Sequence, residues 1–227
     1  MNFNQGVNII MLEQLRHEVL QRNLELPSNN LVVWSGGNVS GRDPETGYVV
    51  IKPSGVPFNE LTEDSLVVTD IDGTVVEGTL KPSVDLGIHL HLYRRRPDVF
   101  GITHTHQPYA TSFALRGEAI PAALTPLTHL IGGPVPCTRY ATPGDEDTAV
   151  AILEATGRQG WVALARRHGV FAMGRSASES LMYTLYLEEA AKTIRLAQIA
   201  GPITSIDERE AQRQLHWHEE HYGQNVQ

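Results

Sequence analysis

Two histidines one residue apart are the first feature of this chain that could perform chemistry. His104 and His106 end an apolar segment, 99–106, that has the composition of a buried strand. Since alternate residues of a strand point to the same face, both imidazoles could bind one metal ion. The motif is short, and two hydrogen-bonded histidines at a strand end are the competing interpretation.

A third histidine, His168, strengthens the metal interpretation. It follows a second apolar segment, 161–165, so it also stands at a strand end, where an adjacent strand could bring it beside the first pair. Three imidazoles on Zn²⁺ leave coordination positions open for a substrate, which is the arrangement of catalytic zinc sites. For His168 alone, a surface residue in a basic turn is the alternative.

Asp85 lies in the first turn of a predicted helix, 84–95, that Ser83 is expected to cap. A carboxylate at that position can simply compensate the helix dipole. Near a metal ion it could instead be a fourth ligand or an acid/base group.

Two glycine-rich turns and one helix start could bind an anion. The segments 36–40 and 52–55 each follow a predicted strand and offer backbone N–H groups, and Ser83 adds another such group with a hydroxyl. Lys52 would supply the positive charge. Each of these features alone usually has no role in binding a ligand. The two turns and the helix start together, beside a metal site, predict a phosphate pocket.

Six other histidines are expected to have no catalytic role. His89 and His91 are two residues apart on a helix, so their side chains diverge and cannot chelate one ion. Four more histidines lie in charged helical segments and are predicted to be solvated: His17, His216, His218 and His221.

The order of elements predicts an α/β fold in which helices cover a mixed sheet. Apolar periodicity and turn residues predict helices over 11–24, 84–95, 110–115, 146–156, 177–200 and 206–221. Strands are predicted over 31–34, 48–51, 65–70, 74–77, 99–106, 161–165 and 170–173, with a hairpin turn at Asp72-Gly73.

The composition limits the classes of protein to which this chain could belong. The chain has 227 residues, 41% of them hydrophobic, with a formal charge of −8, which argues against a nucleic-acid surface. A single cysteine, Cys137, excludes an intrachain disulfide and suits a reducing compartment. Without an 18-residue apolar run or a leader pattern, we expect a cytoplasmic protein that binds no membrane. We expect residues 1–10 to form an extension and 11–227 a single catalytic domain.

As an ordered set, the motifs resemble the class II aldolase/epimerase family, which includes L-ribulose-5-phosphate 4-epimerase and L-fuculose-1-phosphate aldolase. The motifs that carry this resemblance are Gly37-Asn38-Val39-Ser40, Lys52-Pro53-Ser54-Gly55, Glu77-Gly78-Thr79, Lys81-Pro82-Ser83, His104-Thr105-His106, Pro136-Cys137-Thr138-Arg139, His168-Gly169 and Tyr222-Gly223-Gln224. The resemblance implies a three-layer α/β/α fold with a mixed, mostly antiparallel sheet. It also implies a homotetramer with active sites at subunit interfaces.

The resemblance also implies a set of site residues. Zinc, or Mn²⁺ or Co²⁺ in its place, would be held by His104, His106 and His168, with Asp85 as a fourth ligand or an acid/base group. The pocket for a phosphorylated sugar maps onto Gly37, Asn38, Lys52, Ser54, Gly55 and Ser83. Val84 replaces a second serine of the epimerases. His129 stands where their catalytic aspartate falls, and Tyr222 is its partner.

These residues lead to a functional hypothesis. The metal would stabilise the negative charge left when a carbon–carbon bond of a phosphoketose breaks. Rotation and re-addition of the aldehyde fragment would give 4-epimerisation, with His129 and Tyr222 as acid/base groups from a neighbouring subunit. Release of that fragment would be aldolase activity, and decarboxylation of a keto sugar-acid phosphate is a related possibility. A metal-dependent hydrolase and a non-catalytic scaffold similar to the adducin head are the rival hypotheses.

Overall fold

The computed structural model describes residues 3–144 and 146–224. Seven strands form one sheet in the order β4-β3-β2-β1-β5-β7-β6, in which all neighbouring strands are antiparallel. Their bounds are β1 Asn38–Arg42, β2 Val49–Ile51, β3 Val67–Thr69, β4 Val75–Glu77, β5 Gly101–Thr105, β6 Val162–Ala165 and β7 Gly169–Gly174. Within residues 3–144 and 146–224, the expected parallel pairing is limited to one isolated bridge, between Cys137 and Leu164.

Helices cover both faces of the sheet. The α-helices are α1 Phe3–Ser28, α2 Leu86–Arg95, α3 Pro108–Arg116, α4 Thr125–Ile131, α5 Glu146–Thr156, α6 Ala177–Ala200 and α7 Glu208–His221. Apolar residues of α1, α3 and α6 pack on one face, and those of α2 and α5 pack on the other. The predicted three-layer α/β/α fold is therefore confirmed. Among the described residues, no helix has both the length and the apolar character needed to cross a bilayer.

The structure differs from the predicted elements near the N-terminus. The first helix begins at Phe3 rather than near residue 11, while Met1 and Asn2 lie outside the described residues. The division into an extension and a catalytic domain stays a prediction. The apolar run 31–34 is a turn and not a strand, because Trp34 adopts a left-handed conformation with φ of 57°. The strand begins four residues later, at Asn38.

Later elements follow the sequence pattern more closely. The hairpin of β3 and β4, the helix α5 and the helix α6 are confirmed. The helix α2 begins at Leu86, two residues later than predicted, and α4 lies within a segment expected to be irregular.

The register of the central strands brings the predicted site residues together. Asn38 of β1 pairs with His104 of β5, and His104 pairs with Phe171 of β7. Glycines allow the close approach around these pairs. A Cβ atom on Gly37, whose φ is 77°, would lie 2.7 Å from the His104 carbonyl oxygen. A Cβ on Gly169 would lie 2.2 Å from the Thr105 carbonyl oxygen, so both positions require glycine.

Candidate metal centre

The three predicted metal ligands meet at the end of β5. The possible ligand atoms of His104, His106 and His168 all lie within 4.8 Å of one another. His104 is 1% exposed, and its Nδ1 lies 2.8 Å from the Val170 carbonyl oxygen. Since a carbonyl only accepts hydrogen bonds, Nδ1 must carry the proton, which leaves Nε2 of His104 as the metal-binding atom.

His106 directly follows β5, and His168 completes the group from the neighbouring hairpin of β6 and β7. The loop between β6 and β7 turns through Arg167, which has a φ of 62°, and this turn places His168 beside His106. Their Nε2 atoms are 3.2 Å apart. Two ligands at about 2.05 Å from a tetrahedral Zn²⁺ are separated by about 3.3 Å, so the spacing fits such an ion.

The protonation states also suit a metal. The pKa of His104 lies well below its usual value, first because of burial and then because of His106 and His168 nearby. Burial likewise lowers the pKa of His106 and of His168, and the Asp85 carboxylate opposes both shifts. Neutral imidazoles are the metal-binding form. The donor set, the spacing and the charge state therefore all fit a divalent ion.

Asp85 stands at the N-cap position of α2 but makes no side-chain cap bond there, so its carboxylate does not cap the helix. Instead its Oδ2 accepts a hydrogen bond of 2.7 Å from Nδ2 of Asn38. Asp85 is not in the group of potential ligands found among the described residues, although its charge acts on two of the imidazoles. Its role as a fourth ligand stays a prediction. The hydroxyl of Ser83, the expected cap, accepts from the Asp85 N–H at 3.3 Å.

A cavity of about 480 Å³ opens over the three imidazoles. It is lined by all the predicted metal-binding and phosphate-binding residues, namely Gly37, Asn38, Lys52, Ser54, Gly55, Ser83, Asp85, His104, His106 and His168. Gly36 and Pro53, from the two predicted turns, also line it, and three further lining residues were not predicted: Ser35, Pro143 and Gly144. The last two belong to the turn before α5, and their only sequence signal is the Pro-Gly pair. Val84, at the cavity mouth, is 74% exposed.

Lys52 is a buried cation in this cavity. Its side chain is 2% exposed, and its Nζ donates to the carbonyl oxygens of Ser35 at 3.1 Å and Pro53 at 3.3 Å. The ammonium also lies 4.9 Å from the centre of the Phe58 ring. Burial lowers the pKa of Lys52, and the Asp85 charge opposes this shift. An ammonium carries three donors, so one remains for an anion.

The predicted backbone anion cradles are partly wrong. The Ser54 N–H donates to the Lys81 carbonyl at 2.9 Å, and the Ser83 N–H donates to the Lys52 carbonyl at 2.9 Å. These two bonds join the two turns to each other, as does the bridge between Pro53 and Pro82. The backbone N–H groups of both serines therefore form hydrogen bonds within the protein. Their side-chain hydroxyls remain available to a ligand.

The structure places His129 and Tyr222 away from the metal centre of the same chain. Both line a second cavity of about 590 Å³, between α4, α7 and the start of α6. His218 lies between them, with its ring centre 5.3 Å from that of His129 and 4.3 Å from that of Tyr222. His218 was expected to be solvated; it is half-buried, because α4 packs against α7. Burial and His129 lower its pKa.

His89 and His91 diverge as predicted. His89 is completely buried, with Nδ1 2.7 Å from the Ser40 hydroxyl, whereas Nδ1 of His91 forms a hydrogen bond with the Glu146 carboxylate near the surface. Neither histidine lines the metal-centre cavity.

The chain is thus an α/β protein with an antiparallel sheet between helices, and its cavity combines three convergent imidazoles that could hold a metal ion with a buried lysine and a carboxylate. The chain matches the family described as "Class II Aldolase and Adducin N-terminal domain" over residues 17–194. It therefore belongs to this family.

Solved structures agree with that assignment. An L-fuculose 1-phosphate aldolase is 31% identical, with a TM-score of 0.85 over 91% of this chain and 96% of the other. L-fuculose-1-phosphate aldolase from Thermus thermophilus is 27% identical, with a TM-score of 0.72 over 85% and 100%. YgbL from Klebsiella pneumoniae, for which aldolase, epimerase or decarboxylase activity has been suggested, is 26% identical, with a TM-score of 0.79 over 89% and 98%.

Proposed function

We propose that this protein is a metal-dependent enzyme that cleaves a carbon–carbon bond of a phosphorylated ketose by retro-aldol chemistry. The observation that carries the proposal is the convergence of three neutral imidazoles, His104, His106 and His168, in a cavity that also contains Lys52 and Asp85. The similarity to L-fuculose 1-phosphate aldolase supports the same class of reaction.

The three histidines would hold the ion, and Zn²⁺ suits a site of three nitrogen ligands with open positions. When bound, it supplies a Lewis acid where negative charge develops on the substrate. Lys52 offers its remaining donor to the phosphate, and its burial from water strengthens that attraction. Ser54 and Ser83 offer their hydroxyls to the same anion.

Asp85 is the proposed acid/base group. Its carboxylate takes the proton of the substrate hydroxyl as the adjacent carbon–carbon bond breaks. The electron pair of that bond stays with the fragment that contains the original carbonyl, and the other fragment leaves as an aldehyde. The proton held by Asp85 then returns to carbon, so the carboxylate is ready for the next turnover.

4-Epimerisation of a 5-phosphoketose is the second candidate. The stacked group His129, His218 and Tyr222 favours it, because re-addition to the opposite face of the aldehyde needs acid/base groups on both sides. Since that group lies apart from the metal centre of its own chain, we propose that it serves the metal centre of a neighbouring subunit in a homotetramer.

Product analysis tests the proposal. Zinc-loaded protein is incubated with L-fuculose 1-phosphate and, separately, with L-ribulose 5-phosphate, and the products are followed by NMR. Dihydroxyacetone phosphate from the first substrate would support the aldolase, and D-xylulose 5-phosphate from the second would support the epimerase. Loss of CO₂ from a keto sugar-acid phosphate would instead identify a decarboxylase.

Activity on simple phosphate or carboxylate esters, without carbon–carbon cleavage, would contradict the proposal in favour of a hydrolase. Absence of turnover on all three sugar classes by a protein that binds zinc would contradict it in favour of a scaffold.

A further inference from the structure

The geometry points to Glu188 of α6 as a positioning residue for the metal centre, on which it acts through the backbone that carries His106. Glu188 does not line the metal-centre cavity and is not one of the convergent groups found among the described residues. It therefore acts neither as a metal ligand nor as a group that touches the substrate. The inference rests on the metal centre of the proposed function.

The sheet alone does not hold His106. The strand β5 ends at Thr105, so His106 lies just beyond the ladder, where its N–H donates to the Leu31 carbonyl oxygen at 3.0 Å. The chain then continues through Gln107 and enters α3 at Pro108. The direction of the His106 backbone therefore depends on how the start of α3 is held.

The start of α3 does not satisfy its own backbone donors. Gln107, at the N-cap position, makes no side-chain cap bond, and its Nε2 lies 3.4 Å from the Thr184 carbonyl oxygen instead. Pro108 has no N–H group. The N–H groups of Tyr109 and Ala110 remain, and the helix itself offers no acceptor for them in its first turn.

One carboxylate from another helix accepts both of these hydrogen bonds. Oε1 of Glu188 accepts from the Tyr109 N–H, and Oε2 accepts from the Ala110 N–H, each at 2.9 Å. The carboxylate also lies at the positive end of the α3 dipole. Burial raises the pKa of Glu188, and the two bonds oppose that shift. Two charge-assisted bonds to adjacent N–H groups fix the start of α3 against α6 in both distance and rotation.

Glu188 is the last of three polar residues on one face of α6. Ser180, Thr184 and Glu188 are spaced four residues apart, so their side chains lie along one face of the helix. The Ser180 hydroxyl lies 2.8 Å from the hydroxyl of Thr103, on the face of β5 opposite to the imidazoles. The helix α6 thus contacts the metal-bearing segment both before and after its two histidines.

A metal ion requires this segment to be held accurately. The Nε2 atoms of His106 and His168 are 3.2 Å apart, a spacing that fits two ligands of one tetrahedral ion. A displaced α3 would carry the His106 backbone with it and would change that spacing. Loss of residues that orient metal ligands typically costs about 10- to 100-fold in metal affinity.

Glu18 provides a matched control. From α1, its Oε1 accepts from the N–H and the hydroxyl of Ser178, at 2.8 and 2.7 Å, in the first turn of α6. Like Glu188, it is a half-buried carboxylate that binds the start of another helix. That helix start follows the end of β7 opposite to His168, so it lies away from the metal centre.

Metal affinity and stability are compared in Glu188→Ala, Glu18→Ala and the wild type. Zinc affinity is measured by competition with a chromogenic chelator, and stability by denaturant unfolding of metal-free protein. We expect the unfolding equilibrium constant to change by about tenfold in both variants. Zinc affinity should fall about tenfold or more in Glu188→Ala alone. The absorption spectrum of bound Co²⁺, which reports ligand geometry, should also change in that variant alone.

Two outcomes of this comparison would overturn the inference. The first is wild-type zinc affinity in Glu188→Ala, and the second is an equal loss of affinity in both variants. If the alanine variant does not fold, Glu188→Gln takes its place, with Glu18→Gln as the control. The amide keeps one acceptor but cannot accept the second N–H, so zinc affinity should fall about threefold. Unchanged affinity in Glu188→Gln would then overturn the inference.

NMR of the imidazole nitrogens separates this inference from the proposed function. If the wild type binds no zinc, the proposed function fails, and metal-free protein decides the role of Glu188. The His106 signal, assigned by its loss in His106→Ala, should shift in the Glu188 variant and keep its wild-type position in the Glu18 variant. A His106 signal at the same position in all three proteins would overturn the inference. If the wild type binds zinc but cleaves no sugar phosphate, the zinc affinities decide it.

Discussion

The ring of His104 stacks on the ring of Phe171, with centroids 4.0 Å apart and planes inclined by 12°. The two residues are direct partners across β5 and β7, so their side chains stand on the same face of the sheet. Val170, the neighbour of Phe171, accepts the hydrogen bond from Nδ1 of His104. One strand thus fixes both the plane and the rotation of the His104 imidazole, the most buried of the three candidate ligands.

The first prediction concerns this stacked pair. Phe171→Leu should weaken zinc affinity about tenfold, because the imidazole loses the flat surface that fixes its orientation. The free energy of unfolding should fall by about 1–2 kcal/mol through imperfect repacking. Competition with a chromogenic chelator measures the affinity. Met173→Leu, a buried change two residues along the same strand, is the control, and equal affinities in both variants would contradict the prediction.

The second prediction concerns the metal ligands themselves. Replacement of His104, His106 or His168 by alanine should reduce the metal content of the purified protein to background. It should lower carbon–carbon cleavage by at least about 10³-fold, since the ion contributes several kcal/mol to the transition state. Elemental analysis and the NMR product assay measure the two effects. His91→Ala, which changes a histidine paired with Glu146 outside the cavity, should retain both metal and activity.

A pH dependence follows from His89. Burial lowers its pKa from 6.5 to about 3, so the folded protein keeps this imidazole neutral where the unfolded chain binds a proton. The unfolded state binds more protons between these two values, and stability is therefore lost as the pH falls below about 6.5. From pH 7.5 to 5.0 the loss from His89 should be about 2 kcal/mol.

Denaturant unfolding of metal-free protein at the two pH values checks this prediction. His89→Gln should lose about 2 kcal/mol less than the wild type, because the other titrating groups are common to both proteins. Equal losses of unfolding free energy in the two proteins would show that burial does not lower the pKa of His89 as expected.

The fourth prediction concerns the place of Tyr222. If Tyr222 acts in the metal centre of a neighbouring subunit, inactive Tyr222→Phe and inactive His104→Ala chains should complement each other. Refolding a one-to-one mixture should restore about a quarter of the wild-type activity, since only sites with both native residues function. A mixture as inactive as its parents would place Tyr222 outside the neighbour's site.

Local periodicity was sufficient to single out the three candidate metal-binding residues. The alternation of a strand puts His104 and His106 on one face, and the apolar run before His168 identifies a second strand end. The position of Lys52 after a short apolar strand was equally clear. The fold could be predicted for the same reason, because most helices and strands have an apolar pattern of the appropriate period.

Features that depend on contacts between distant segments could not be predicted. The backbone N–H groups of Ser54 and Ser83 donate hydrogen bonds within the protein, because the two turns pair with each other. The sequence of either turn alone does not indicate this pairing. The stacking of His218 depends on the packing of α7 against α4, a helix hidden in a segment rich in Pro and Gly. Trp34 has an apolar neighbourhood that suggests a strand, but its left-handed backbone ends any strand there.

The pairing of Asn38 with His104 joins positions that are 66 residues apart in the chain (104 − 38), and the pairing of His104 with Phe171 joins positions that are 67 apart (171 − 104). Contacts of such long range form late when a chain folds, because the entropy of closing large loops opposes them. A newly made chain would thus acquire tight metal binding only once its sheet had closed. Retention of a metal ion would then distinguish fully folded chains from incompletely folded ones.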